Sequence, residues 1–295
     1  MPVIRTAVAP PAARRRGGIP PYIPLLIPAV AFMLLVYAFP FLSSIVTSFL
    51  DQQGVPSLSN YRRTVDLYAR DIIFTLVVSV SNTAGTILLA IALAAYLRVR
   101  NSRMSRFIGH VYKLGIFIPF VVVAQMMRTF LAPHGLLNVT LARTGFIDID
   151  SPLQLFNFSG LTFGFMWKLV PFAILIIYGG FQMIDNSYLE AARSTGAGFF
   201  AMVARILVPM NKSSILVATV LVYAQIVSCF TLPYMLLGGR TPTTITVDIA
   251  HRVTYFRDYG SANSLGVISY ALVLVAAAYY LKTSVRQYRQ GADNA

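Results

Sequence analysis

Six long apolar stretches dominate this chain of 295 residues. Each approaches or exceeds the roughly 20 residues that an α-helix needs to cross the hydrocarbon core of a bilayer. Because backbone amides and carbonyls in that core must bond to each other, the stretches are predicted to be helical. We place them at residues 23–49, 72–97, 107–131, 161–183, 214–237 and 264–282. The sequence therefore predicts an all-α integral membrane protein with six transmembrane helices.

The composition supports one membrane domain. The chain is 57% hydrophobic and 12% charged, with a mean hydropathy of +0.68, which is more apolar than a soluble domain needs for its core. Its single cysteine, Cys229, cannot form an intrachain disulfide. We predict a tail at residues 1–20 that leads into an uncleaved first span, a membrane domain at residues 21–285, and a second tail at residues 286–295.

The net charge of +14 is distributed unevenly between the two ends of these helices. One end carries seven basic residues, and these are matched by seven acids. The other end carries fifteen: Arg5, Arg14, Arg15, Arg16, Arg98, Arg100, Arg103, Arg106, Lys113, Arg193, Arg205, Lys212, Lys282, Arg286 and Arg289. By the positive-inside rule this basic end is cytoplasmic, as are both termini. The positive charge is therefore a topology signal and does not indicate nucleic-acid binding.

The segment 184–209 is amphipathic and charged, and it separates two apolar stretches on the cytoplasmic side. Ser187 and Glu190 have the spacing of a helix capping box, which predicts a helix that begins at Ser187. Gly196 permits the positive φ of a helix end, and residues 199–208 predict a second amphipathic helix. Pro209 predicts the next boundary, because it lacks an amide donor. The expected product is two short helices joined by a turn at the membrane surface.

This segment resembles the EAA loop of the membrane subunits of binding-protein-dependent ABC importers. The matching residues, which the resemblance assigns to ATPase coupling, are Glu190, Ala191, Ala192, Gly196, Ile206 and Pro209. Val208 stands where the family usually has leucine, and Gly198 stands where a polar residue is more usual. Glu190 either only completes the cap or also pairs with a basic group on the ATPase.

Further matches extend over most of the chain and resemble the carbohydrate branch of these permeases. They include Asn60-Tyr61, Asn82-Thr83, Gly135-Leu136-Leu137-Asn138, Trp167, Pro171-Phe172 and Tyr259-Gly260-Ser261-Ala262. The resemblance implies the type I permease fold in a bacterial cytoplasmic (inner) membrane. It also implies import of a sugar or sugar-like solute, with a second permease subunit, two cytoplasmic ATPase subunits and an extracytoplasmic solute-binding protein as partners.

The chain itself is predicted to hydrolyse nothing. It contains no Gly-rich phosphate loop, carboxylate pair or metal-ligand spacing, and His110, His134 and His251 lie in separate flanks. No cofactor is expected on this chain, and ATP and magnesium would be used by the partner ATPase. The alternatives are an importer for a polyamine or phosphate ester, an ion-coupled secondary transporter, and a membrane-embedded enzyme.

Polar and aromatic residues within the spans are candidates for the solute pathway. They are Asn82, Gln125, Trp167, Lys168, Tyr223, Gln225 and Tyr234. The competing interpretation is that such residues bridge helices or pack in the core. Lys168 either faces the pathway or pairs with a neighbouring chain, and the sequence favours neither.

Overall fold

The computed structural model describes residues 23–51 and 53–293, so the predicted tail at residues 1–20 lies outside the described residues. Within these ranges the regular structure is helical, apart from an isolated bridge between Leu50 and Pro56. The chain divides after Ser44 into two compact units.

The first unit holds helix α1 (Ile23–Met33), a π-helical turn (Leu34–Ala38) and the first part of α2 (Phe39–Ser48). The π turn explains how the helix accommodates Pro40. The amide of Phe39 bonds five residues back to the Leu34 carbonyl, so the hydrogen-bond pattern shifts just before the residue that has no amide hydrogen. The helical stretch Leu26–Ser48 is long and apolar enough to cross a membrane.

The second unit contains the remaining helices. In chain order they are α3 (Ser59–Val99), α4 (Arg103–Ile116), α5 (Phe120–Phe130), α6 (Leu136–Arg143), α7 (Phe158–Gln182), α8 (Asn186–Ser194), α9 (Phe199–Met202), a π turn (Val203–Leu207), α10 (Val208–Met210), α11 (Lys212–Ser228), α12 (Thr231–Leu237), α13 (Ile245–His251), a π turn (Arg252–Phe256) and α14 (Tyr259–Asp293).

Four helical stretches in the described chain are long and apolar enough to cross a membrane, and two bent helix pairs raise the number to as many as six. The four are Leu26–Ser48, Ser59–Val99, Phe158–Gln182 and Tyr259–Tyr279. The predicted second span is part of a 41-residue helix, and the predicted tail at residues 286–295 continues α14 as far as Asp293.

The predicted third span is not one straight helix. The axes of α4 and α5 differ by 109° across a break at residues 117–119. Pro119, which is the N-cap of α5, explains the break, because its ring fixes φ and it cannot donate to a preceding carbonyl. The predicted fifth span is also interrupted, since Cys229 and Phe230 separate α11 from α12.

The core of the second unit lies between α7 and α3, and α11 packs against both helices. Large side chains of α7, including Phe165 and Phe181, are completely buried. The facing part of α3 contributes small residues, among them Ala90 and Ala94, which are also completely buried. Small residues on one helix let the other approach closely, which is how membrane helices gain packing contacts.

The junction between α10 and α11 packs directly on α7. The chain bends by 80° at Asn211, whose side-chain amide donates to the Ile177 carbonyl at 3.1 Å. Gly180 faces this asparagine so closely that a Cβ atom on it would lie 2.1 Å from Asn211 Oδ1 and 2.4 Å from Ser214 Oγ. The bend at Asn211 can therefore pack against α7 only because Gly180 has no side chain.

We expect Gly180→Ala to destabilise the protein by about 1–3 kcal/mol, because the new methyl group forces Asn211 away from α7. The measurement is thermal unfolding in detergent. Gly179→Ala is the matched control, since a Cβ there meets nothing within 4 Å and alanine favours a helix. Equal unfolding temperatures for the two variants would contradict the packing argument.

At the opposite end of the bundle, residues 240–258 are joined to α3 by hydrogen bonds from their backbone amides to side chains of α3. Asp71 Oδ1 accepts from the Thr243 amide at 2.8 Å, and Thr75 Oγ1 accepts from the Ile245 amide at 2.9 Å. Asp248 is 5% exposed, and its Oδ2 has no hydrogen-bond partner among the described residues. Burial, followed by the charge of Asp71, raises the pKa of Asp248 to about 8, although Arg252 opposes the shift.

This raised pKa predicts that stability falls as the pH rises. Between about pH 4 and pH 8 the folded protein keeps a proton on Asp248 that the unfolded chain has lost. The stabilisation is complete below about pH 4, is lost progressively up to about pH 8, and changes no further above it. Thermal unfolding measured across this pH range should show stability falling with a definite slope against pH, and Asp248→Asn should make that slope smaller. The exposed-site control Asp150→Asn should leave the slope unchanged.

Candidate coupling site at residues 184–209

Arg98, at the end of α3, fixes the start of the 184–209 segment. Its guanidinium donates to the carbonyls of Phe181 at 2.8 Å and Ile184 at 2.6 Å. The last carbonyls of a helix have no partner within the helix, and a cation near them also favours the helix dipole. Arg98 therefore binds the end of α7 and the first residue of the segment to α3.

Helix α8 begins one residue earlier than the sequence predicts, and its cap is different. Asp185 is the N-cap, and its Oδ1 accepts from the Ser187 amide at 2.8 Å. The predicted capping box of Ser187 and Glu190 is therefore wrong. Both Asp and Ser are favoured caps, and Asp185, which lies first in the chain, takes the extended conformation that a cap requires. The Ser187 hydrogen bonds lower the pKa of the Asp185 carboxyl.

Helix α8 has one face toward the bundle and another toward solvent. Leu189 is buried, and Arg193 donates to the Val99 carbonyl at the end of α3, at 2.9 Å. Glu190 and Ala191 are exposed, and Ala192 is half-buried. Glu190 makes no ion pair within the described part of the chain. Its carboxylate and the small side chain of Ala191 are therefore accessible to a docking protein.

The turn after α8 confirms the prediction for Gly196. This residue has φ +78°, and the amides of Gly196 and Ala197 donate back to the carbonyls of Arg193 and Ala192, both at 2.9 Å. This pair of bonds closes the helix in a Schellman motif, which needs a left-handed residue at the glycine position. The turn sets the direction in which the second helix leaves.

The second helix of the segment runs from Phe199 to Met210, so the predicted boundary at Pro209 is wrong. The π turn before Pro209 explains the difference, since the Val208 amide bonds five residues back to the Val203 carbonyl. As at Pro40, this shift lets the helix pass through a residue with no amide hydrogen. Ile206 is half-buried, whereas Pro209 is exposed.

The ammonium group of Lys168 is bonded to three backbone carbonyls within the bundle. Its Nζ donates to the carbonyls of Ile118 at 2.6 Å, Ile116 at 3.0 Å and Gly115 at 3.5 Å, and the side chain is 9% exposed. These carbonyls lie where α4 stops and α5 has not yet begun. Lys168 therefore supplies hydrogen bonds at the break in the bent helix pair, and a role toward a solute pathway or a neighbouring chain stays a prediction.

The other pathway candidates are not gathered in one place. Asn82 is 1% exposed, and its amide donates to the Val78 carbonyl at 2.9 Å, so it packs inside the bundle. Trp167 lines an apolar cavity of about 710 Å³ between α3, α4 and α7, which none of the other six candidates lines. Gln125 is exposed, and Tyr234 is 38% exposed and stacks on Phe230. Tyr223 and Gln225 are half-buried in α11.

Three residues that position the segment are not among the site residues predicted from the sequence, namely Arg98, Asp185 and Asn211. Asp185 could have been predicted, because Asp is a favoured N-cap residue and lies just before the helix. Arg98 could not be separated from other basic residues that follow an apolar stretch, because its partners lie 83 and 86 positions away. For Asn211 the only signal in the sequence is its place two residues after Pro209.

A multi-pass helical membrane protein with a capped surface helix next to its spans is thus the class that the fold and this segment define. The family described as "Binding-protein-dependent transport system inner membrane component" matches residues 86–287. The chain belongs to this family.

Two similar proteins are named as sugar transport permeases. The sulfoquinovosyl glycerol transport system permease protein SmoG of Agrobacterium fabrum is 27% identical over 282 residues, with 88% of each chain covered. The trehalose/maltose transport system permease protein MalF of Thermococcus litoralis is 26% identical, with 88% of this chain and 90% of MalF covered. The spermidine/putrescine transport system permease protein PotB of Escherichia coli is also 26% identical, with 82% and 90% covered.

The fold is similar to that of a chain in the crystal structure of a bacterial ABC transporter involved in the import of the acidic polysaccharide alginate. The TM-score is 0.74 at 20% identity, and the match covers 90% of this chain and 94% of the other. At this level of identity the likeness concerns the fold.

We expect Lys168→Met to destabilise the protein by about 1–3 kcal/mol, because it leaves the carbonyls at the break between α4 and α5 without their donor. Thermal unfolding in detergent is the measurement. Arg128→Met is the control, since Arg128 is an exposed cation on α5. A stability loss of similar size in the control would show that removal of any cation from this part of the bundle, and not loss of the carbonyl bonds, is responsible.

Proposed function

We propose that this chain is the transmembrane permease subunit of an ATP-driven importer that moves a sugar or sugar-like solute into the cytoplasm. Family membership supports the transport role, and the names of SmoG and MalF support a sugar. PotB supports the alternative of a polyamine, but its match covers less of this chain than those of the two sugar permeases. The solute would arrive on an extracytoplasmic binding protein.

In the proposed topology six spans cross the cytoplasmic membrane of a bacterium, with both termini in the cytoplasm. The two bent helix pairs would each count as one span. The distribution of basic residues supports the orientation, since the 184–209 segment then lies on the cytoplasmic side with Arg98, Arg100 and Arg106. A second permease subunit would complete the membrane part of the transporter.

Docking of a separate ATPase on α8 is the central step of the proposal. The observation that carries it is the set of three hydrogen bonds by which Arg98 and Arg193 join this segment to α3 and α7. A displacement of α8 by a docked protein would pull on the ends of both long helices at once. Glu190 and Ala191 would contact the ATPase, and Gly196 would hold the orientation of the two short helices. ATP and magnesium would bind to that partner.

The proposal also includes a solute pathway through the membrane part of the chain. Gln125 and Tyr234 are the exposed members of the candidate set, so they would contribute hydrogen bonds and an aromatic surface. Trp167 would contribute as part of the lining of the apolar cavity between α3, α4 and α7. The contacts of Lys168 and Asn82 within the bundle favour a packing role for these two residues in the proposal.

The experiment compares the same substitution at two neighbouring glycines. Threonine at Gly196 is forced into a positive φ that β-branched residues avoid, whereas Gly198 has φ −72°, lies at an N-cap, and has open space around it. We expect Gly196→Thr to weaken co-purification of the ATPase subunit and solute uptake by about tenfold, for a strain of about 1–2 kcal/mol. Gly198→Thr should retain both.

Normal ATPase association and normal solute uptake in the Gly196→Thr variant would contradict the proposed coupling role of this segment. Solute uptake by the chain alone, without an ATPase and a second permease chain, would overturn the importer assignment altogether.

A further inference from the structure

A basic cavity of about 620 Å³ lies beside the 184–209 segment. Its walls come from the end of α3, from α4, from the end of α7 and from α8. Its lining includes six residues that carry or can carry positive charge, against one acid, Glu190. The six are Arg98, Arg100, Arg106, His110, Lys113 and Arg193.

Two of these arginines already have partners, since Arg98 and Arg193 donate to backbone carbonyls. Arg100, Arg106 and Lys113 are exposed, and none forms an ion pair with a described residue. Basic residues on this side are ordinary when they are scattered over a surface. Here they converge on one concave site, where like charges repel and a bound anion relieves the repulsion.

Helix α4, which carries Arg106 and Lys113, also has an exposed apolar stripe. Met104, Phe107, Val111 and Leu114 recur every three or four residues and are 58%, 63%, 46% and 68% exposed. Such a stripe needs hydrocarbon or a protein partner to cover it. A helix with an apolar face beside a cationic face is typical of the level where phospholipid headgroups meet acyl chains.

The basic cavity borders on an apolar one. Tyr112 lines both, and Val111, Leu114 and Gly115 continue the lining into the apolar cavity of about 710 Å³. A free anion would use only the first cavity. A molecule with a negative headgroup and an acyl chain matches both the charge of the one and the apolar lining of the other.

We propose that this pair of cavities binds an anionic glycerophospholipid. Arg100, Arg106 and Lys113 bind the phosphate oxygens of its headgroup, and an acyl chain lies along Val111 and Leu114. Of the proposed function this site uses only the placement in a membrane, so it does not depend on the solute or on an ATPase. Because Glu190 and Arg193 line the same cavity, the headgroup also contacts the helix proposed for coupling.

The test measures lipid retention by the full-length chain with native mass spectrometry. The chain is purified in detergent with either dioleoyl phosphatidylglycerol or dioleoyl phosphatidylcholine. We expect phosphatidylglycerol to be retained and phosphatidylcholine to be lost. The variant Arg100→Gln/Arg106→Gln/Lys113→Gln should bind phosphatidylglycerol on the order of a hundredfold more weakly, from about fivefold for each cation.

Two matched variants separate the site from general charge and from folding. Arg62→Gln/Arg143→Gln/Arg240→Gln removes three exposed cations elsewhere on the chain and should retain the lipid. Arg100→Lys/Arg106→Lys/Lys113→Arg keeps the charges and should also retain it. Equal loss in the two glutamine variants, or no loss in the first, would overturn the proposal.

Two further measurements address other occupants of the site. Displacement of phosphatidylglycerol by excess inorganic phosphate would show that a free anion binds there, contrary to the proposal. Loss of the lipid when the chain is assembled with its partner subunits would show that a protein covers the cavity, which also contradicts it. Since lipid retention is measured without ATP or solute, its failure would leave the importer assignment intact.

Discussion

The structure depends on the need of backbone carbonyls at helix ends for a hydrogen-bond donor. In a membrane there is no water to supply one where a helix stops inside the hydrocarbon. The chain supplies such donors with side chains from distant positions, Lys168 at the break between α4 and α5 and Arg98 at the end of α7. Asn211 makes a further side-chain bond, to the Ile177 carbonyl inside α7. Each of these contacts fixes both a local bend and the relative position of two helices.

The sequence was informative where the cause is local. Apolar length predicted the α3, α7 and α14 regions, and the glycine in the 184–209 segment predicted the turn at Gly196, because a left-handed residue has few alternatives. It failed where the cause is a long-range contact. Pro119 and Pro209 look alike as helix breakers, yet the first ends a helix and the second is absorbed by a π turn. At the first of these positions the carbonyls are bonded by Lys168 of α7, a contact that no local pattern encodes.

The candidate site shows the same division. The residues of the resembling motif lie together on one segment, and Glu190 and Ala191 are accessible as a docking surface requires. The polar residues in the spans were much harder to interpret. Lys168 has the chemistry of a pathway residue, but its three carbonyl partners lie 50 to 53 positions away and could not be foreseen. A polar residue in an apolar run indicates that a partner is needed and does not identify it.

The two arginines at the 184–209 segment have a geometric consequence. Arg98 extends from α3 to the end of α7, and Arg193 extends from α8 back to the end of α3. Together with the short chain connection between α7 and α8, these contacts form a closed triangle of three helix ends. A triangle with fixed sides cannot shear, so force applied to α8 would rotate the three ends as one rigid body. The long helices would then tilt together instead of sliding past one another.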